Sequence, residues 1–197
     1  MNNFRFTSYL TSNIGTDKAI MDQVLSHCSI REFKKGDFLL RQGEKCRHSF
    51  FVERGLLRQF SIDDKGKEHI IQFAPENWFM SDRESVYFDR PSSYFIQAIE
   101  DTVTFLLDEN VLLQLSKSDT AFLEFNNRLL HNHIRHLQRR ITQLQSATAE
   151  ERYLDFIRMY PDMPLRVPQV FIASYLGVTP ESLSRVRKEL ARKNHTL

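Results

Sequence analysis

The sequence is short of cysteine, glycine and proline and has no long apolar run, and each shortage excludes a class of protein. Two cysteines, Cys28 and Cys46, cannot supply the about four thiolates that hold an iron–sulfur cluster. They fit a reduced, cytosolic protein, with a disulfide between them as the alternative. Six Gly and six Pro among 197 residues exclude a low-complexity chain. Because no run approaches about 18 apolar residues and the first residues lack the apolar core of a signal peptide, we expect a cytoplasmic protein that binds no membrane.

The motifs of common enzyme classes are also missing. The sequence contains no Gly-rich phosphate loop, no H-E-x-x-H, no G-x-S-x-G and no C-x-x-C. Its Ser, His and Asp residues are scattered along the chain. We therefore expect a protein that is not an enzyme and that needs no metal or cofactor.

Charge is divided unevenly along the chain. From Arg128 to Leu197 there are 12 Lys or Arg and 6 Asp or Glu, whereas the other 127 residues hold 15 and 19. The segment Arg185–Lys193 has five basic residues and one Glu. A basic C-terminal third predicts a polyanion partner for that part alone, with an affinity that falls steeply with salt.

Residues 30–108 have the pattern of a small antiparallel β-structure. Short apolar segments alternate with turn sequences such as KKGD, ERG, DDKG and APEN. Asp63–Gly66 predicts a hairpin, and Tyr94–Asp108 predicts a strand that is broken near its middle. A cupin barrel is the alternative, but the clustered His and Glu ligands of a cupin are missing.

From Thr120 the apolar residues follow a heptad repeat. One heptad position carries Leu and the other carries Ile or Asn, a combination that favours a parallel two-stranded coiled coil. The predicted dimer interface consists of Leu123, Asn127, Leu130, Ile134, Leu137, Ile141 and Leu144. A single core helix inside a monomer would show a similar period, but the polar back of the repeat favours the homodimer.

Two segments after the heptad repeat predict further helices. Residues 146–163 predict one helix, which Pro161 and Pro164 end. Val167–Leu190 predicts a helix-turn-helix, in which Gly177 supplies the turn. Two short helices around a glycine also occur in many domains that bind no nucleic acid, so this pattern alone leaves both functions open.

The second helix of this motif has the composition of a DNA-reading helix. Thr179 can cap its start with the hydroxyl, and Pro180 fits the first helical position. Leu183, Val186 and Leu190 form an inner stripe at spacings of three and four. The opposite face is polar, with a basic C-terminal half, which suits the major groove of DNA.

The order of residues resembles the cyclic-AMP receptor/Fnr family of bacterial transcription regulators. IASYLGVTPESLSR at Ile172–Arg185 is similar to that family's DNA-binding motif. Phe33–Glu44 and Phe50–Arg58 are similar to its sensor, a β-roll of the cyclic nucleotide-binding type. The resemblance covers essentially the whole chain and implies an α+β fold with a sensor β-roll at 1–117, a dimerisation helix at 118–146 and a winged-helix-like helix-turn-helix domain at 147–197. Seven residues follow Leu190, so we expect the wing to be short or absent.

Double-stranded DNA and a second copy of the chain are the partners that this resemblance implies, and RNA polymerase is a further candidate. The expected DNA contacts are Thr179, Pro180, Glu181, Ser182, Ser184, Arg185 and Lys188. Glu181 suits a cytosine amine and Arg185 suits a guanine. Pro180 departs from the family, which often has Arg there, and it cannot donate to a base.

The predicted sensor pocket departs from the pattern of the family's cyclic-nucleotide binders. Ser81 and Asp82 stand where Gly-Glu contacts the ribose, and Ser92 and Ser93 stand where Arg-Ser holds the phosphate. Cyclic AMP is therefore not the expected effector. The residues of a candidate small-molecule pocket are Asp82, Arg83, Arg90, Ser92 and Ser93.

Several alternatives for sensing stay open at this stage. The regulator either works without an effector or takes a more apolar ligand among the aromatic residues near Trp78. Haem through His48, His69 or Cys46 and metal at the group His131, His133 and His136 are weaker hypotheses. The second hypothesis for the whole protein is a ligand-binding module whose basic C-terminal part does not read DNA.

Overall fold

The computed structural model describes residues 4–14 and 18–194. The elements in these residues follow one another as α1 (Arg5–Ile14), α2 (Lys18–Ser26), β1 (Cys28–Phe33), β2 (Phe38–Leu40), β3 (His48–Arg54), β4 (Leu57–Ile62), β5 (Glu68–Ala74), β6 (Phe79–Met80), α3 (Arg83–Phe88), β7 (Phe95–Ala98), β8 (Thr102–Asp108), α4 (Glu109–Ser118), α5 (Thr120–Ser146), α6 (Ala149–Met159), α7 (Met163–Arg166), α8 (Gln169–Leu176) and α9 (Pro180–Asn194). The chain divides into two compact units, residues 1–67 with 71–130 and residues 68–70 with 131–197.

The strands form two four-stranded sheets, with strand orders β1-β8-β3-β6 and β2-β7-β4-β5. Apolar side chains from both sheets form one core, with Leu40, Val52, Leu57, Ile96 and Leu106 among its buried members. The α+β class and the N-terminal β-structure are therefore confirmed. The predicted break in the last long apolar segment separates β7 from β8.

The predicted hairpin joins β4 to β5, and Asp63 holds its turn. The Asp63 Oδ1 atom accepts from the backbone N–H groups of Lys65 and Lys67, both at 2.9 Å. Gly66 donates its N–H to the Asp63 carbonyl at 2.9 Å. Asp fits this position because its short side chain bonds to backbone N–H groups just ahead of it.

A second core lies between the sheet of β1, β8 and β3 and the helices α1, α2, α4 and α5. The Phe6 ring lies 4.6 Å from the Phe105 ring and 5.0 Å from the Phe51 ring, measured between centroids. The Glu53 carboxylate on β3 accepts from the N–H groups of Arg5 and Phe6 at 2.7 and 2.9 Å. This carboxylate satisfies orphan donors at the start of α1 and complements the positive end of its dipole.

Helices α6, α8 and α9 pack together in the second unit. Thr148 and Glu151 form a capping box at the start of α6. The Phe156 ring lies 5.3 Å from Tyr160 and 5.6 Å from Tyr175. The contact between Phe156 and Tyr175 joins α6 to α8 and holds the helix-turn-helix on its neighbour.

The prediction of one helix over residues 146–163 is wrong at its end. The helix α6 stops at Met159, and a separate short helix, α7, begins at Met163. Pro164 lies in the first turn of α7. Proline is tolerated there because the first N–H groups of a helix have no intrahelical acceptor to lose.

Candidate nucleic-acid interface and effector cassette

The turn of the helix-turn-helix is built on Gly177. Its φ is +66°, in the left-handed region that favours glycine. Gly177 donates its N–H to the Ser174 carbonyl at 3.1 Å, and Val178 donates to the Ala173 carbonyl at 3.0 Å. These bonds satisfy the last carbonyls of α8 and turn the chain into α9.

The start of α9 is capped as its sequence predicts. The Thr179 Oγ1 atom accepts from the Ser182 N–H at 3.2 Å. A hydrogen bond from its own backbone N–H, followed by one from the Thr179 hydroxyl, lowers the pKa of the Glu181 carboxyl. Glu181 is therefore held in the ionised form, which accepts hydrogen bonds and does not donate them.

One face of α9 is buried and the other is exposed. Leu183 and Val186 are buried, and Leu190 is half-buried. The exposed face carries the predicted DNA contacts Pro180, Glu181, Ser184, Arg185 and Lys188, with Thr179 just before the helix; Ser182 is half-buried. Five of the seven sequence-predicted residues therefore lie on one accessible surface of the helix.

The cations of α9 differ in what they contact. Lys193 is bound to Glu150 on α6, with its Nζ 2.7 Å from Oε1, and this bond raises the pKa of the Lys193 ammonium. Within the described ranges, no salt bridge engages Arg185, Arg187 or Lys188. These three side chains are exposed and make no ion pair within the described part of the chain.

The candidate effector cassette consists of residues 82–94, that is, Asp82, helix α3 and the loop that leads to β7. Its central residue is the buried Asp82. The Asp82 Oδ1 atom accepts from the N–H groups of Glu84 and Ser85 at 3.1 and 3.3 Å. Its Oδ2 atom accepts from the Ser92 hydroxyl at 2.6 Å. Asp82 and Ser92 are only 4% and 3% exposed. A carboxylate of the chain itself therefore occupies the start of α3, where an anionic ligand would need positive partners.

The two arginines of the predicted pocket lie elsewhere. The Arg83 Nη1 atom is 3.1 Å from both carboxylate oxygens of Glu109. Glu109 is buried and also accepts from the Ser49 hydroxyl at 2.5 Å. Arg90 is exposed, with its guanidinium 6.0 Å from the centroid of the Phe88 ring, and Ser93 is exposed as well. Of the five predicted pocket residues, the structure brings together only Asp82 and Ser92.

The residues considered for metal or haem do not form a cluster. Among residues 4–14 and 18–194, no group of three or more His, Cys, Asp or Glu side chains is arranged to hold a metal ion. Burial raises the pKa of the Cys46 thiol. Burial, followed by the positive charges of His133, Arg140 and Arg139, lowers the pKa of His136. Cys46 is thus a neutral thiol, and His136 is a neutral imidazole near pH 7.

The predicted dimer residues form an accessible stripe along α5. Leu123, Ile134, Ile141 and Leu144 are 40%, 48%, 55% and 41% exposed. Asn127 is exposed, and Leu130 and Leu137 are half-buried. Phe122 and Phe125, which follow a different face of the helix, are buried in the first unit. The helix therefore has one apolar face inside its own chain and a second that remains open.

Sequence reasoning missed the partners that hold the charged residues. Glu109, whose carboxylate binds Arg83, could not be identified from local sequence because it lies 26 residues from Arg83 along the chain. Arg140, Arg152 and Asp155 also escaped notice, since they look like solvated charges on helical segments. Their environment becomes visible only when α5, α6 and α8 pack together.

Comparisons with known proteins agree with this geometry. The cyclic nucleotide-binding domain family matches residues 30–119. The chain is 31% identical over 169 residues to the transcriptional activator protein Anr of Pseudomonas aeruginosa, covering 79% of this chain and 68% of that protein. It is 22% identical over 187 residues to the cAMP-activated global transcriptional regulator CRP of Haemophilus influenzae, covering 89% and 83%. The structure of FixK2 from Bradyrhizobium japonicum superposes with a TM-score of 0.75 at 19% identity, covering 85% of this chain and 86% of that one.

The sensor-type β-structure, the long helix and the helix-turn-helix define a DNA-binding regulator of transcription. The chain belongs to the Crp/Fnr family of transcription regulators and carries the family's cyclic nucleotide-binding-type domain. Regulators of this family bind DNA, typically as dimers, and the relatives found are regulators and not enzymes. Within the described part of the chain, no helix has the length and hydropathy that a membrane span requires.

Proposed function

We propose that this protein is a homodimeric regulator that binds palindromic DNA through α9 and does not depend on cyclic AMP. The observation that carries the proposal is the exposed face of α9, where Arg185, Arg187 and Lys188 have no salt-bridge partner among the described residues. A short polar helix with unengaged cations fits the major groove, in which Arg pairs with guanine and backbone contacts position the helix. RNA polymerase is a further partner that the family suggests and that this proposal does not require.

The dimer rests on the open apolar stripe of α5. A core helix of a monomer would bury the heptad positions, but Ile134 and Ile141 are about half exposed. A second copy of the same stripe covers both residues in a parallel coiled coil. Two-fold symmetry then implies two half-sites about one helical turn apart, ~34 Å.

Independence of cyclic AMP rests on the cassette. A cyclic phosphate entering beside α3 would face the carboxylate of Asp82, which is already bound to Ser92. The guanidinium of Arg83 is engaged by Glu109. Because a buried phosphate needs a guanidinium or several free N–H donors, this cassette opposes the ligand.

Selection of bound duplexes from a random DNA library, with and without cyclic AMP, tests the whole proposal. We expect the same palindrome in both arms. Enrichment only in the arm with cyclic AMP would refute the interpretation of the cassette. Non-palindromic enrichment would refute the dimer, and no enrichment in either arm would favour a ligand-binding module that does not read DNA.

Substitution of Arg185 tests the role of α9. We expect Arg185→Ala to weaken binding to the selected site by ~1–3 kcal/mol and to relax the preference at one base pair. Arg187→Ala should weaken binding to all sequences. It should also reduce the slope of the logarithm of the binding constant against the logarithm of salt concentration by about one unit. Fluorescence anisotropy on the selected and a scrambled duplex separates the two effects. Unchanged discrimination in Arg185→Ala would remove it from the base-reading set.

A further inference from the structure

The second unit contains a small cavity between α5, α6 and α8 whose polar lining includes two arginines. Its volume is about 20 Å³, enough for one or two water-sized occupants. Arg140, Gln143, Arg152 and Asp155 supply the polar lining, and Leu144, Phe156, Met159, Tyr175 and Leu176 complete it. The cavity lies next to the turn of the helix-turn-helix, since a Cβ on Gly177 would be 3.6 Å from the Arg152 Nη1 atom.

Two of the residues that line the cavity each have a buried guanidinium nitrogen without an acceptor. The Arg140 Nη1 and Arg152 Nε atoms have no hydrogen-bond partner among the residues that the structure describes. Arg140 is held in place all the same, because its Nη2 donates to the Ile70 carbonyl at 2.9 Å and its Cζ lies 3.8 Å from the Tyr175 ring centroid. A charged donor that is fixed and buried in this way strongly favours an acceptor beside it.

The carboxylate in the lining does not supply that acceptor. One oxygen of Asp155 is bound by Arg139, and the other accepts from the Gln143 amide at 2.6 Å. Arg139 is thus the salt-bridge partner of Asp155, and no salt bridge among the described residues engages Arg140 or Arg152. A water molecule could accept from both arginines, but it would leave two positive charges uncompensated and would have to place its own two protons.

We propose that this cavity binds a monatomic anion, of which chloride is the physiological example. An anion accepts from Arg140 and Arg152 together, balances their charge and has no proton to place. The small volume suits a monatomic ion better than phosphate, sulfate or a nucleotide. The bound ion joins α5 to α6 beside the turn between α8 and α9. The anion site is separate from the proposed DNA-binding face of α9 and from the effector cassette.

Thermal unfolding of the full-length protein tests the site in solution. Chloride is exchanged for glutamate at constant ionic strength, and the unfolding midpoint is followed as chloride rises through the millimolar range. A specific site gives a midpoint that rises with the logarithm of chloride concentration once the site fills, as linkage requires, whereas a general salt effect is linear in concentration. We expect the logarithmic rise in the wild type and in Arg158→Gln, an exposed arginine on the same helix as Arg152. We expect its loss in Arg140→Gln and in Arg152→Gln.

Anomalous diffraction from crystals grown in bromide tests the place of the ion and does not depend on a variant that folds. We expect a bromide peak within hydrogen-bond distance of the Arg140 Nη1 and Arg152 Nε atoms. A water at that position, an empty cavity, or a bromide peak without any logarithmic chloride response in solution would each overturn the proposal. A chloride response that persists unchanged in both Gln variants would overturn it too.

Discussion

Shortening Ile141 on the open stripe of α5 should separate the proposed dimer into folded subunits. Ile141 is 55% exposed in the single chain, so about half of its surface remains to be covered by a partner. Full burial of such a side chain contributes about 1.5–3 kcal/mol, so covering the remainder contributes about 1–1.5 kcal/mol per copy. Symmetry doubles this value to about 2–3 kcal/mol, and Ile141→Ala should raise the dimer Kd by about 30- to 150-fold.

Sedimentation velocity over a range of protein concentrations measures that Kd. Asn132→Ala is the matched control, because Asn132 is exposed on the opposite side of the heptad and should leave the Kd unchanged. Far-UV circular dichroism checks that the Ile141→Ala subunits keep their helices. A dimer Kd within twofold of the wild-type value, in a folded variant, would refute the coiled-coil interface.

Three further predictions concern stability. Gly55 has a φ of +101°, and a Cβ there would lie 2.5 Å from the Thr102 Oγ1 atom. Gly55→Ala should therefore lower the free energy of unfolding, measured in urea, by about 2–5 kcal/mol. Gly66→Ala, with a φ of +79° and open space around it, is the control and should cost only about 1 kcal/mol. Leu183 is 1% exposed, so Leu183→Ala should lower the free energy of unfolding by about 2–5 kcal/mol, and a loss under 1 kcal/mol would contradict its place in the core. Burial, followed by neighbouring positive charges, lowers the pKa of His136 below the value of 6.5 expected in the unfolded chain. As pH drops below about 6.5, the unfolded state therefore takes up the proton first, and the free energy of unfolding falls. His136→Gln should flatten that decline in thermal melts between about pH 7 and about pH 5, a range that brackets the pKa of histidine in the unfolded chain. An unaltered slope would assign the decline to other groups.

Much of the fold was predictable because its signals are local. The turn at Asp63–Gly66, the cap at Thr179 and the left-handed Gly177 each depend on a few consecutive residues, and the structure contains all three. The heptad spacing of α5 is likewise a property of one helix. Periodicity states which face of that helix is apolar, although it does not state what covers the face.

The sequence by itself also determined the family, since the order of residues in the helix-turn-helix and in the β-region is specific. The resemblance implied that Ser92 stands where the family's cyclic-nucleotide binders have an arginine, but the sequence could not show that Asp82 bonds to that serine. The end of α6 was misjudged for a similar reason. Pro164 is compatible either with the end of one helix or with the start of the next, and neighbouring packing selects between them.

Only the tertiary structure decided which charges are engaged. The pair Arg83–Glu109 joins residues 26 positions apart, and Lys193–Glu150 joins residues 43 positions apart. The unsatisfied nitrogens of Arg140 and Arg152 are likewise a property of three packed helices and not of any one segment. The physical reason is that hydrogen bonds and ion pairs act over a few ångströms in space, whereas sequence patterns record only neighbours along the chain.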